Sequence, residues 1–109
     1  DDPLAKVKYQ ISGFDNSITQ IKYNIVGGGS ITVTNLSDFG NGGGDSRTLN
    51  AYLLPFDAKL EVAANNATSA NKQYVLKIIV DNQTKASYTI DVPPGGSSSG
   101  EVTYTVEAN

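Results

Sequence analysis

YVLKIIVDNQTKASYTIDV, residues 74–92, decides the fold. In its first half Tyr74, Leu76, Ile78 and Val80 share one phase while Val75 and Ile79 fill the other, with only Lys77 polar between them. Side chains on a strand alternate between the two faces of a sheet, so apolar residues in both phases predict a strand covered on both sides, hence a central one. Asp81-Asn82-Gln83 then supplies a tight connection, and Ala86, Tyr88, Ile90 and Val92 return at a period of two, facing inward. The stretch reads as a β-hairpin.

The same period runs outward in both directions. Val7, Tyr9 and Ile11 define a first strand over residues 6–12, which Gly13 closes. Ile21, Tyr23 and Ile25 define a second over 18–26, expected to pair with the first as a hairpin; Ile18 falls out of phase, which predicts a bulge or a late start. After Gly27-Gly28-Gly29, residues 30–36 read as a third strand, and 47–54 as a weaker fourth that ends at Pro55. Phe56, Ala58, Leu60, Val62 and Ala64 alternate again, and 65–72 reads as a polar turn region. Residues 93–100, PPGGSSSG, read as a loop, followed by a last strand over 101–107 with Val102, Tyr104 and Val106 inward. No segment has a helical stripe.

Seven or eight short strands at spacings of 8 to 12 residues, with no room for crossover helices, predict an all-β, antiparallel immunoglobulin-like β-sandwich. The Cys, Trp, Cys pattern of antibody domains is missing, and a small closed barrel is the competing architecture. The chain has 109 residues, enough for one hydrophobic core, and six Tyr and three Phe supply large buried areas for it. The expected organisation is a polar tether over residues 1–5 and a single sandwich domain over 6–109. A signal peptide or lipid-anchored leader is expected upstream of residue 1, and a tether upstream of residue 1 is the only expected link to a membrane.

Composition narrows the chemistry. There is no His and no Cys, so a Ser-His-Asp triad, a Cys-His dyad, and ordinary zinc, copper, haem or iron–sulfur sites are excluded. No cofactor is expected. A net charge of −3 with scattered lysines argues against a nucleic-acid partner, which needs clustered basic residues. Asp57 and Glu61 stand on one solvent face about 13 Å apart at 3.3 Å per residue. That is too far for a paired-carboxylate hydrolase, with Lys59 between them making a charge stripe the simpler reading.

The candidate sites lie where the alternation breaks. Between residues 36 and 47 four glycines surround a single apolar side chain, and Asp38, Asn41 and Asp45 there are the candidates for a hard cation. Phe39 in that loop and Tyr52 are the aromatics expected to be exposed contacts, whereas Tyr9, Tyr23, Tyr74, Tyr88 and Tyr104 are in phase with the core. Asn35-Leu36-Ser37, Asn66-Ala67-Thr68 and Asn82-Gln83-Thr84 match glycosylation acceptors, as a chain rich in Asn, Ser and Thr does by chance.

Val7-Lys8-Tyr9-Gln10-Ile11-Ser12-Gly13, Ile21-Lys22-Tyr23, Leu54-Pro55-Phe56 and Leu76-Lys77-Ile78-Ile79-Val80-Asp81-Asn82 occur in an order that resembles the soluble domains of the mycobacterial MmpS membrane proteins. Those carry V-x-Y-x-V-x-G and I-x-Y strands, an L-P-W step and an I-x-V-D-G hairpin. Here Phe56 stands at the tryptophan and Asn82 at the hairpin glycine, and the paired cysteines of many members are missing. The resemblance implies a small β-sandwich outside the cytoplasmic membrane that assists a transporter without catalysis. A Gram-negative envelope lipoprotein with the same sandwich fits equally well. The expected function is therefore a non-enzymatic accessory or binding module with an envelope protein or transporter as partner. The alternative is a carbohydrate-binding accessory domain that uses loop aromatics on a glycan.

Overall fold

The computed structural model describes residues 2–40 and 44–108. Eight strands form two four-stranded antiparallel sheets packed face to face: β1 (Ala5–Ser12), β2 (Ile18–Asn24), β3 (Ser30–Val33), β4 (Ser46–Ala51), β5 (Phe56–Asn65), β6 (Lys72–Val80), β7 (Gln83–Val92) and β8 (Ser97–Val106). The first sheet has the order β4-β1-β6-β7 and the second β3-β2-β5-β8. The architecture is the eight-stranded β-sandwich that the alternation implies, and it is not a closed barrel. Among the described residues no helix is long and apolar enough to cross a membrane.

Inward-facing residues of both sheets form one core. Val7, Tyr9 and Ile11 of β1 and Tyr74, Leu76 and Ile78 of β6 face Ile21, Leu60 and Val62 of the other sheet, and all are buried. As expected, β6 is central, hydrogen-bonded to β1 on one side and β7 on the other. The β6–β7 hairpin turns on Asp81 and Asn82, both at positive φ (50° and 69°), the conformation that suits a two-residue turn to the twist of its strands. Out-of-phase Ile18 marks the expected irregularity: the β2–β5 register shifts between Ile18 and Gln20, and Ile18 is buried.

Three expectations are overturned. β1 and β2 do not pair as a hairpin, because their connection carries the chain from one sheet to the other; among the described residues only β2–β3 and β6–β7 are hairpins within a sheet. Residues 97–100 are not loop: Ser97, Ser98, Ser99 and Gly100 continue β8 and pair with Asn65, Ala64, Ala63 and Val62. Their composition disfavours a strand, but the ten-residue β5 presents a full ladder and its backbone groups need partners. Tyr88, in phase with the core, is half-exposed, because β7 is an edge strand and its side chain overhangs the rim of the sandwich. β1 begins at Ala5, whose side chain is buried, and the Leu4 N–H already donates to the Ala51 carbonyl.

Polar anchors lock the ends of the sandwich. The buried Tyr9 hydroxyl donates to the Asn24 carbonyl (2.8 Å) and accepts from the Lys59 N–H (3.2 Å), so a side chain of the first sheet bonds the frayed end of the β2–β5 ladder in the second. Asn66, the buried polar residue in the second glycosylation match, donates to the Ala70 and Val92 carbonyls and accepts from Thr68. Its amide is engaged in structure rather than offered to a glycan. Gly13, at φ +85°, closes β1 where a Cβ would stand 2.7 Å from the Gln73 carbonyl oxygen.

Candidate functional site

The glycine-rich segment does not present its aromatic outward. Phe39 is fully buried, stacked against Phe14 (ring centroids 6.1 Å) and edge-on to Tyr23 (5.9 Å). It follows a 3₁₀ turn, Leu36–Asp38, capped by the Asn35 side chain, and Arg47 of β4 clamps the segment by donating to the Phe39 (2.6 Å) and Asp38 (3.1 Å) carbonyls. The reading of Phe39 as an exposed contact is thus corrected. A large ring beside an open core edge gains more by burial than in solvent. Asp38 and Asp45 are exposed, and the Asp45 carbonyl accepts from Ile11 N–H in line with the β1–β4 ladder. Asn41 lies outside the described residues. Among the described residues no group of three or more His, Cys, Asp or Glu side chains could hold a metal ion.

Tyr52 is exposed, as expected, and it has apolar company. The β4–β5 connection places Tyr52 (52 % exposed) next to Leu53 (65 %), and the β1–β4 pairing brings Leu4 (59 %) to the same end of the sandwich. Leu4 and Leu54 also line a cleft of ≈ 240 Å³ between the sheets with Val80, Tyr104 and Val106. Both the first and the last described residues lie at this end, since β1 starts and β8 finishes there.

At the opposite end sits a polar knot. Asp15 accepts from the Tyr74 hydroxyl (2.6 Å), Lys72 Nζ (2.8 Å) and the Ser17 N–H (3.0 Å), and Lys72 also donates to the Ser17 hydroxyl (2.9 Å). Burial of the carboxyl favours its protonation, but these hydrogen bonds and the Lys72 charge outweigh it and hold Asp15 below the ordinary carboxylate value. Burial, and then the bond to Asp15, push the Tyr74 hydroxyl up to about 12. A tyrosine kept protonated is a poor general base at neutral pH. The knot ties the β1–β2 connection to β6.

A third surface was not foreseen from the pattern of residues. The outer face of the second sheet carries a groove of ≈ 510 Å³ that runs between Lys22 of β2, Glu61 of β5 and Glu101 of β8 and is walled at the rim by Tyr88. Glu61 lies between Lys22 and Glu101 in register, and Lys59 reaches both carboxylates, at 3.4 Å from Glu61 and 3.3 Å from Glu101. Contact with Glu101, and then the charge of Glu61, hold the Lys59 ammonium above its ordinary value. The charge stripe expected around Lys59 is present, but its second carboxylate comes from β8, whereas Asp57 instead accepts from the Thr105 hydroxyl.

Comparison with known proteins adds no relative: no family model, no curated protein and no solved structure matches the chain.

Proposed function

We propose that this chain is a non-enzymatic, extracytoplasmic binding module of a bacterial envelope assembly or transporter, tethered to a membrane through the segment upstream of residue 1. Its protein partner docks on the apolar end of the sandwich. The observation that carries this reading is the exposure of Leu4, Tyr52 and Leu53 at the end where the described chain begins. Large apolar side chains gathered at one end and exposed beyond half their area favour association, and a Tyr among them supplies a rigid anchor. The lack of His and Cys supports a binding role over a catalytic one.

The test uses the full-length gene product in its native host, with a photoreactive residue at position 52. Recovery in the envelope fraction and a crosslink to one discrete envelope protein, lost in Leu53→Asp, are expected. A freely cytosolic product, or a crosslinking pattern that Leu53→Asp leaves unchanged, overturns the proposal.

A further inference from the structure

The groove on the second sheet is remote from the apolar end and has different chemistry. Its rim is the Tyr88 ring, 48 % exposed although its position in β7 is in phase with the core. The ring takes this place because β8 has glycine at position 100. A Cβ there would lie 2.5 Å from Tyr88 Cε2 and 2.8 Å from an Ile90 side-chain carbon, so only a residue without a side chain lets the ring rest on the β8 backbone. The floor lies low because Ala63 and Ser99 are small, and the walls are the longer Gln20, Lys22, Glu61 and Glu101. Past Ala63 and Ser99 the depression continues to Thr19, Asn65 and Ser97, which makes the surface elongated and hydroxyl-rich.

The ligand class follows from the lining. An apolar ligand would cover the Gln20 amide and the Glu61 and Glu101 carboxylates without returning hydrogen bonds, at the cost of their desolvation. A polyanion meets two carboxylates on a chain of net charge −3. A metal ion would have to displace Lys59 from both glutamates. A sugar meets none of these objections. Its C–H face packs on an aromatic ring, its hydroxyls donate to carboxylate and amide oxygens, and they accept from ammonium and amide groups. Lys59 holds the two carboxylates in place while leaving them lone pairs to accept with.

We propose that this groove binds a neutral oligosaccharide, with Tyr88 as the stacking platform and Gln20, Lys22, Glu61 and Glu101 as the hydroxyl partners. The site is independent of the apolar end.

Amide chemical-shift titration and calorimetry with maltohexaose, cellohexaose, xylohexaose and chitohexaose test it. Saturable shifts at Lys22, Ser99, Gly100 and Glu101 are expected with at least one glycan. Tyr88→Ala is expected to weaken that binding about tenfold, a loss typical of one aromatic contact. Gly100→Ala, which displaces the ring, should do the same, and Lys77→Ala on the outer face of the other sheet should not. Glu101→Gln keeps the claim testable if either rim variant fails to fold, because it removes a charge-assisted acceptor without altering shape. A flat titration across all four glycans overturns the proposal, as does binding that Tyr88→Ala or Glu101→Gln leaves unchanged.

Discussion

Phe39 and Tyr52 looked alike as isolated aromatics at breaks in the alternation, yet one closes the core and the other stands in solvent. The difference is made by Phe14 and Tyr23, which offer Phe39 a pocket, and by Arg47, whose two bonds hold the segment down over it. Nothing in the sequence marks Arg47 as such a clamp, since the lysines of β1, β2 and β6 equally lack an acidic residue in their own strands. Phe39→Ala should therefore destabilise the fold by about 3–5 kcal/mol in chemical denaturation, and Tyr52→Ala by less than about 0.5 kcal/mol. Tyr9→Phe keeps the ring but strips the hydroxyl from Asn24 and Lys59, and should cost about 1–3 kcal/mol in the same assay. Asp15 sets a pH dependence. Its pKa is lower in the folded state, so the unfolded chain binds more protons between the two values. The stabilisation is complete above the unfolded carboxylate value of about 3.9 and is lost as the pH falls through the folded one. Denaturation midpoints should therefore drop less on acidification in Asp15→Asn than in the wild type. Because the Asp15–Lys72 pair is partly exposed, high salt should shrink that difference.

Among the elements, the central place of β6 was readable from its two-sided apolarity, although its outer-face Val75 and Ile79 are only half-buried because no further layer covers that face. The bulge in β2 was readable for a related reason: a buried Ile in the wrong phase forces the register to slip. The first half of β8 was hidden. Ser97, Ser98, Ser99 and Gly100 have loop composition, and their strand conformation is imposed from outside by pairing with β5. The β6–β7 turn lies between these cases, with its length evident and its left-handed backbone resting on Asp81 and Asn82. Asp81 is further held there by the Lys6 N–H, which donates to its carboxylate at 2.9 Å. Asn82→Gly should be neutral or slightly stabilising, whereas Asn82→Val places a β-branched residue at φ 69° and should lower stability by about 1–2 kcal/mol. Thermal unfolding of the two variants side by side checks the sign.

At the scale of the whole molecule, the crossings between sheets decide what the protein can present. They bring the chain's first strand, the β4–β5 connection and the end of β8 to one end, and so gather Leu4, Tyr52 and Leu53, which are far apart in the chain. Replacing Leu4 and Leu53 by Ser, with the photoreactive residue kept at position 52, should change the unfolding free energy by no more than about 0.5 kcal/mol each while abolishing the crosslink, since exposed side chains add little to stability. The crossings also set β7 beside β8, so that a Tyr of one sheet lies on a Gly of the other and walls a groove on the outer face. By itself the sequence determined that the protein is all-β, most of the side chains that fill its core and which chemistries its residue types exclude. These are properties of period and composition, and both are local. Strand order, the burial of Phe39, the overhang of Tyr88 and the meeting of Glu61 with Glu101 were decided only by the tertiary structure. A period of two specifies which face a side chain takes but carries no information about which strand lies alongside.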